Sequence, residues 1–160
     1  MQRLKPLVYK YGYEILRVYW FLFRPKTSGV RCVVLNKDKI LLVRHTYGSH
    51  LWTTVGGGIK ANEDLEQAVR REVKEEVGLE LGVVKKVGEV QYEEEYKKDT
   101  VHVFLSDTLN TDLQPDNAEI VEASWFPVDE LPEDVSPRFK KFLALAKNQI
   151  KSSRFSATSH

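Results

Sequence analysis

GGIKANEDLEQAVRREVKEEVGL, from Gly57 to Leu79, is the stretch on which the reading of this chain turns. It opens on glycines, continues with helical periodicity, and brings Glu72, Glu75 and Glu76 to one side of the helix. Carboxylates at i, i+3 and i+4 have Cβ atoms about 5–6 Å apart. At an effective dielectric near 20 each like-charge pair then repels by roughly 3 kcal/mol. A divalent, oxygen-seeking cation such as Mg²⁺ is the simplest offset. A solvated acidic face is the competing explanation. The apolar stripe Leu65, Ala68, Val69, Val73 and Val77 weighs against it, because Glu72 and Glu76 fall beside that stripe rather than opposite it.

The ends of the stretch fit a helix. Asn62 is expected as N-cap, with Glu63 and Asp64 at the positive end of the dipole. Gly78 is expected as the left-handed residue that stops the helix. The run Gly56-Gly57-Gly58 allows bare backbone to approach a ligand or turn a carbonyl toward a metal, although a simple turn has the same composition.

This segment resembles the Nudix box, G-x5-E-x7-R-E-U-x-E-E-x-G-U with U aliphatic. Gly57, Glu63, Arg71, Glu72, Glu75, Glu76 and Gly78 fill its fixed positions, and Val73 and Leu79 its aliphatic ones. At ordinary residue frequencies a chance match in one window is on the order of one in a hundred million. The resemblance implies an α/β/α sandwich with a mixed sheet. It also implies hydrolysis of a pyrophosphate bond in a nucleoside diphosphate linked to another group, by metal-activated water. On that resemblance Glu72, Glu75, Glu76 and the carbonyl of Gly56 are the ligands of Mg²⁺, with Mn²⁺ as its substitute. Arg71 and Glu63 would orient the carboxylates through charged hydrogen bonds. The general base is expected either in Glu72 or in a downstream acid: Glu93, Glu94, Glu95, Glu119 or Glu122, with Glu119 preferred. Departures from the usual pattern are Lys60 in place of Glu, Asn62 in place of Gly, and Val55 in place of Pro. A nucleotide-binding sensor of the same fold, without turnover, is the alternative; such domains usually lack box carboxylates, and all are present here.

Arg31, Arg44 and Tyr96 are the expected substrate contacts, the arginines for phosphates and the tyrosine by analogy with dinucleoside-polyphosphate hydrolases of the family. His45 is a further phosphate candidate. Tyr47, Trp52, Tyr92 and Phe104 are aromatic candidates for stacking, with core packing the better reading for Trp52 and Phe104.

The remaining chain sets bounds. Its 160 residues suit one principal domain, and a net charge of +1 with mixed signs advertises no DNA-binding surface. The single Cys32 excludes an internal disulfide framework and fits a reducing, cytoplasmic compartment. Lying within Val30–Leu35, it reads as a buried structural thiol. Strands are expected at Val30–Leu35, Lys39–Arg44, Val83–Tyr92, Thr100–Leu105 and Glu122–Phe126, with an extended piece at Trp52–Val55 and a closing helix at Arg138–Ile150.

The domain is placed at 26–150 and a flexible tail at 151–160. Residues 1–25 form an aromatic amphipathic helix on this reading, with Leu4, Leu7, Val8, Tyr11, Ile15, Val18, Tyr19 and Leu22 at helical spacing. Lys10, Glu14 and Arg17 interrupt it within the ~20 residues a membrane span requires. Three roles stay open for it: packing on its own domain, forming a homodimer interface, or lying peripherally on a membrane.

Overall fold

The structure, a computed structural model, describes the backbone of residues 26–94 and 97–157, and side chains of 27–93 and 98–150. The segment 1–25, with its expected amphipathic helix, Glu95 and Tyr96 lie outside the described residues, as does the side chain of Glu94. Five strands, β1 (Lys26–Asn36), β2 (Lys39–His45), β3 (Val84–Glu94), β4 (Lys97–Asp107) and β5 (Ile120–Pro127), form one sheet in the order β3-β4-β1-β2-β5. Helix α1 (Leu65–Val77) covers one face and α2 (Pro137–Ala157) the other. The β1–β4 pair is parallel and the rest are antiparallel, so the sheet is mixed as expected.

Alternation along β1 explains the two layers. Val30, Cys32 and Val34 point into the cluster beneath α1, where Ala68, Val69, Val73 and Val77 pack. Val33 and Leu35 point into the other cluster, with Phe139, Phe142 and Ala146 of α2. A strand covered on both faces reads as a near-continuous apolar run, which is how Val30–Leu35 reads. Cys32 is fully enclosed, and burial pushes its thiol well above the ordinary range, so it is an inert packing group.

One departure from a regular sheet positions the glycine loop. β1 and β2 pair only at Leu35↔Ile40 and Asn36↔Lys39, around a two-residue turn in which Lys37 has φ 54°. Beyond those rungs the strands part, and the extended piece after Trp52 fills the gap. Thr53 exchanges both backbone hydrogen bonds with Val43, while the Cys32 and Val30 amides donate to Val55 and Gly57 carbonyls. The backbone groups freed by the parting are thereby satisfied, and the glycines arrive at the centre of the domain.

Two helix limits differ from expectation. Asp64, not Asn62, is the N-cap of α1: its carboxylate accepts from the Gln67 amide and the Gln67 side chain accepts from the Asp64 amide. This reciprocal pair satisfies two orphan donors, and such a cap contributes about 1 kcal/mol. Asn62 instead lies two residues outside with φ 63°, the left-handed conformation asparagine tolerates where the family pattern has glycine. Gly78 ends the helix at φ 75°, as expected. At the other terminus α2 continues to Ala157, through most of the stretch expected as a tail. Among the described residues no helix is long and apolar enough to cross a membrane.

Candidate active site

Glycine is required twice in the loop, for different reasons. Gly56 has φ 130°, and a Cβ there would stand 2.3 Å from the Val30 carbonyl oxygen. A Cβ on Gly57 would stand 2.5 Å from Oε2 of Glu72. The first glycine lets the loop cross β1; the second lets a carboxylate of α1 press against bare backbone.

The box acids are three different groups. Glu76 is 3 % exposed, and its Oε2 accepts from the Gly56 amide at 2.8 Å. Burial pushes its carboxyl up to about 7, the Gly56 amide and Arg31 oppose the rise, and the charges of Glu72 and Glu119 add to it. Glu72 is partly buried and accepts from Arg71 Nη1 at 2.6 Å. Glu75 is exposed, 3.1 Å from the same Nη1 and 3.4 Å from Lys60 Nζ.

Arg71 organises this group. Its Nε and Nη2 grip Glu63 at 2.7 and 2.8 Å, and Nη2 also donates to the Gly58 carbonyl. The Arg71 hydrogen bonds, helped by the Lys60 amide at 2.9 Å, hold the Glu63 carboxyl at about 2. A planar guanidinium is suited to such forked recognition. Repulsion among the box acids is therefore offset largely inside the protein, by Arg71 with help from Lys60 and Arg31, and does not by itself demand a metal. Among the described residues no three His, Cys, Asp or Glu groups converge into a ready ligand set.

A loop brings the downstream acid. The Gln114 and Asp116 amides donate to the Val77 and Glu76 carbonyls, using the free acceptors at the end of α1, and the Glu119 carbonyl accepts from Thr46. Glu119 thereby joins Glu72, Glu75, Glu76 and Gly56 around one cavity of about 410 Å³. Asp116 lines it too; sequence reasoning missed this acid, because its only signal is the fold of its loop. Glu93 pairs with Lys98 at 2.9 Å and Glu122 lies 3.7 Å from Arg44, and neither lines the cavity.

A second cavity, of about 530 Å³, adjoins the first and shares Tyr47, Gly57 and Gly58 with it. It is walled by Arg31, His50, Asp99, Arg138 and Phe142 among others, from four separate parts of the chain. His45 lines the second cavity, 8 % exposed, with neither ring nitrogen hydrogen-bonded and Nδ1 lying 4.0 Å from Glu76 Oε1. Burial, reinforced by the Arg31 charge, pushes it down to about 4, so the imidazole is neutral at ordinary pH. Tyr47, 61 % exposed, stacks on it with ring centroids 5.1 Å apart. Arg44 goes elsewhere: it pairs with Asp134 and lies 4.5 Å over the Trp52 ring, lining neither cavity. Trp52 and Phe104 are core residues, and Tyr92 lies beneath the Arg138 guanidinium.

The whole arrangement has relatives. A MutT NUDIX hydrolase from Burkholderia pseudomallei superposes with TM-score 0.69 at 21% identity, covering 76% of this chain and 98% of that one, a likeness of fold. The NAD-capped RNA hydrolase NudC of Vibrio atlanticus is 34% identical over 110 residues, 66% of this chain and 40% of that protein. An oxidized purine nucleoside triphosphate hydrolase from Danio rerio is 31% identical over 104 residues, 62% of this chain and 65% of that protein. The chain thus spans under half of its NudC relative's length. The NUDIX domain model matches residues 25–146, covering both cavities and the box between them, and the chain belongs to that family.

Proposed function

We propose that the protein hydrolyses a pyrophosphate bond in a nucleoside diphosphate linked to another group, with Mg²⁺, or Mn²⁺ in its place. The observation that carries this reading is the meeting of Glu72, Glu75, Glu76, Glu119 and the Gly56 backbone around one cavity that adjoins a larger one. The donors fit the metal: carboxylate and carbonyl oxygens are hard ligands, and the buried Glu76 gains most from a cation because burial disfavours its ionised form. Glu72, Glu75, Glu76 and the Gly56 carbonyl would hold the ion, with Arg71 and Glu63 aligning the carboxylates. When bound, the ion supplies Lewis-acid neutralisation of phosphate charge and acidifies water.

The remaining work falls to the chain. Glu119 accepts the proton as water attacks one phosphorus and the bridging oxygen departs with the other phosphate, giving two phosphorylated products. Arg31 contacts a phosphate, and the second cavity receives the nucleoside; its volume falls within the ~300–1,000 Å³ usual for small-molecule sites. The relatives' named substrates, NAD-capped RNA and oxidised purine nucleoside triphosphates, both contain a nucleoside joined to a pyrophosphate linkage.

A panel of canonical and oxidised nucleoside triphosphates, ADP-ribose, nucleotide sugars, dinucleoside polyphosphates and capped RNA tests the reading. Cleavage of at least one member with Mg²⁺ or Mn²⁺, lost in Glu76→Gln, is expected. Tight nucleotide binding with no cleavage across the panel would instead make the domain a sensor.

A further inference from the structure

Arg31 stands where the proposed reaction needs another charge. Nη1 donates to the carbonyl of Gly56, the carbonyl assigned above to the metal, and to that of Thr54 at 3.3 Å. Its charge reaches the buried Glu76 carboxylate, the His45 imidazole and the Tyr47 hydroxyl. The guanidinium thus places one positive charge on an oxygen assigned to the divalent ion, from the side of the second cavity.

We propose that Arg31 is the resident cation at the Gly56 carbonyl, an oxygen of the carboxylate cavity. It holds the Gly56 carbonyl until a phosphate in the adjoining cavity, which Arg31 lines, draws it off that oxygen, so that metal and phosphate load together. This inference rests on the hydrolase reading of the same site.

Three physical points support it. A guanidinium and a divalent ion at one carbonyl repel each other, so the resting position of Arg31 weakens metal binding in the absence of substrate. The side chain has somewhere to go, because Arg31 lines the 530 Å³ cavity and not the carboxylate one. It also has donors to spare: Nε and Nη2 make no hydrogen bond among the described residues, and two adjacent guanidinium donors match the oxygens of a phosphate. Moving the arginine to the phosphate exchanges a neutral acceptor for an anionic one and vacates the carbonyl for the metal.

The test is direct Mn²⁺ binding, read by the loss of the free-ion EPR signal, with and without inorganic phosphate as probe. Phosphate is expected to tighten Mn²⁺ binding to the wild type. In Arg31→Gln, Mn²⁺ should bind about tenfold more tightly without phosphate, and the phosphate effect should disappear. Arg31→Lys, which keeps the charge, should retain the weak metal affinity, and circular dichroism should confirm that both variants fold. An arginine with a merely structural role would not produce tighter metal binding on removal. If wild type binds Mn²⁺, Glu76→Gln does not, and Arg31→Gln matches wild type, the resident-cation inference is overturned while the hydrolase reading stands. If neither wild type nor Arg31→Gln binds Mn²⁺, the hydrolase reading fails and takes this inference with it.

Discussion

The carboxylate cavity and the cavity beside it are built on opposite plans. The first draws almost all its groups from one continuous stretch, Gly56 to Glu76, and among the described residues only Tyr47, Asp116 and Glu119 come from outside. The second collects Arg31 from β1, His50 from the loop after β2, Asp99 from β4 and Arg138 from α2. Groups held by one helix and the loop it fixes keep their relative geometry whatever the rest of the domain does. Groups gathered from distant segments can be exchanged singly without disturbing one another. On the proposed function, bond-breaking chemistry on the first plan and substrate choice on the second would separate what must stay constant from what can vary.

Substitutions can break or sharpen that contrast. The largest effect is expected for Glu76→Gln, which should lower kcat by roughly 10²–10³-fold, the scale of losing one preorganised electrostatic contact. Steady-state rates with Mg²⁺ measure it, and a rate within a few-fold of wild type would remove this carboxylate from the reaction. Gly57→Ala should follow, at up to about 10²-fold, since an atom placed 2.5 Å from Glu72 Oε2, with its three nearest contacts all in that carboxylate, moves a side chain rather than the backbone. Its thermal midpoint should hardly change, whereas Gly56→Ala, which meets the Val30 carbonyl, should lose about 1–3 kcal/mol of stability. Equal thermal effects at the two glycines would contradict the distinct reasons given for them.

Arg71→Lys comes next, at roughly 10–100-fold in metal-dependent rate, because an ammonium cannot fork between Glu63 and Glu72. In the second cavity Asp99→Asn should raise KM by about tenfold or less, with kcat nearly constant. That carboxylate accepts from Thr27 Oγ1 at 2.9 Å and lines the wall, away from the box acids. A large fall in kcat there would erase the separation between the two regions.

The subtlest expectation concerns pH. Glu76 rises from 4.5 to about 7 on folding, so the metal-free fold loses stability as pH climbs through that interval. His45 falls from 6.5 to about 4, so its contribution is complete above 6.5 and is lost as pH drops toward 4. Between 4.5 and 6.5 the two slopes oppose each other, and urea unfolding of the wild type with chelator should be nearly flat with pH. Glu76→Gln removes the falling slope, leaving stability that rises by up to about 3 kcal/mol over the His45 interval. An equally flat profile in that variant would show that the two groups do not compensate.

The split between the regions also governs how far the sequence could be read. The stripe from Leu65 to Val77, the stop at Gly78 and the acids beside the stripe follow from positions along one helix, and all are where the spacing put them. Capping was misplaced by two residues because Asn62 and Asp64 have similar propensities; the left-handed backbone at Asn62 and the reciprocal Asp64–Gln67 hydrogen bonds separate them. Arg44 and Arg31 looked equivalent as basic residues on early strands. The register of β2 and the position of Asp134 turn one toward Trp52, while the parting of β1 from β2 brings the other against the glycine loop.

What the sequence determined by itself was the local and periodic: a sandwich built on an apolar central strand, an acidic helix, and glycines demanded by close approach. Tertiary structure alone decided which distant groups meet. It brought Asp116 and Glu119 to the end of α1, buried His45 against Glu76 and Tyr47 with its ring nitrogens unbonded, and laid Arg31 on the Gly56 carbonyl. The physical reason is that helical and strand periods fix neighbours a few residues apart. Contacts between segments tens of residues apart depend instead on loop paths and strand register, which no repeat in the sequence encodes.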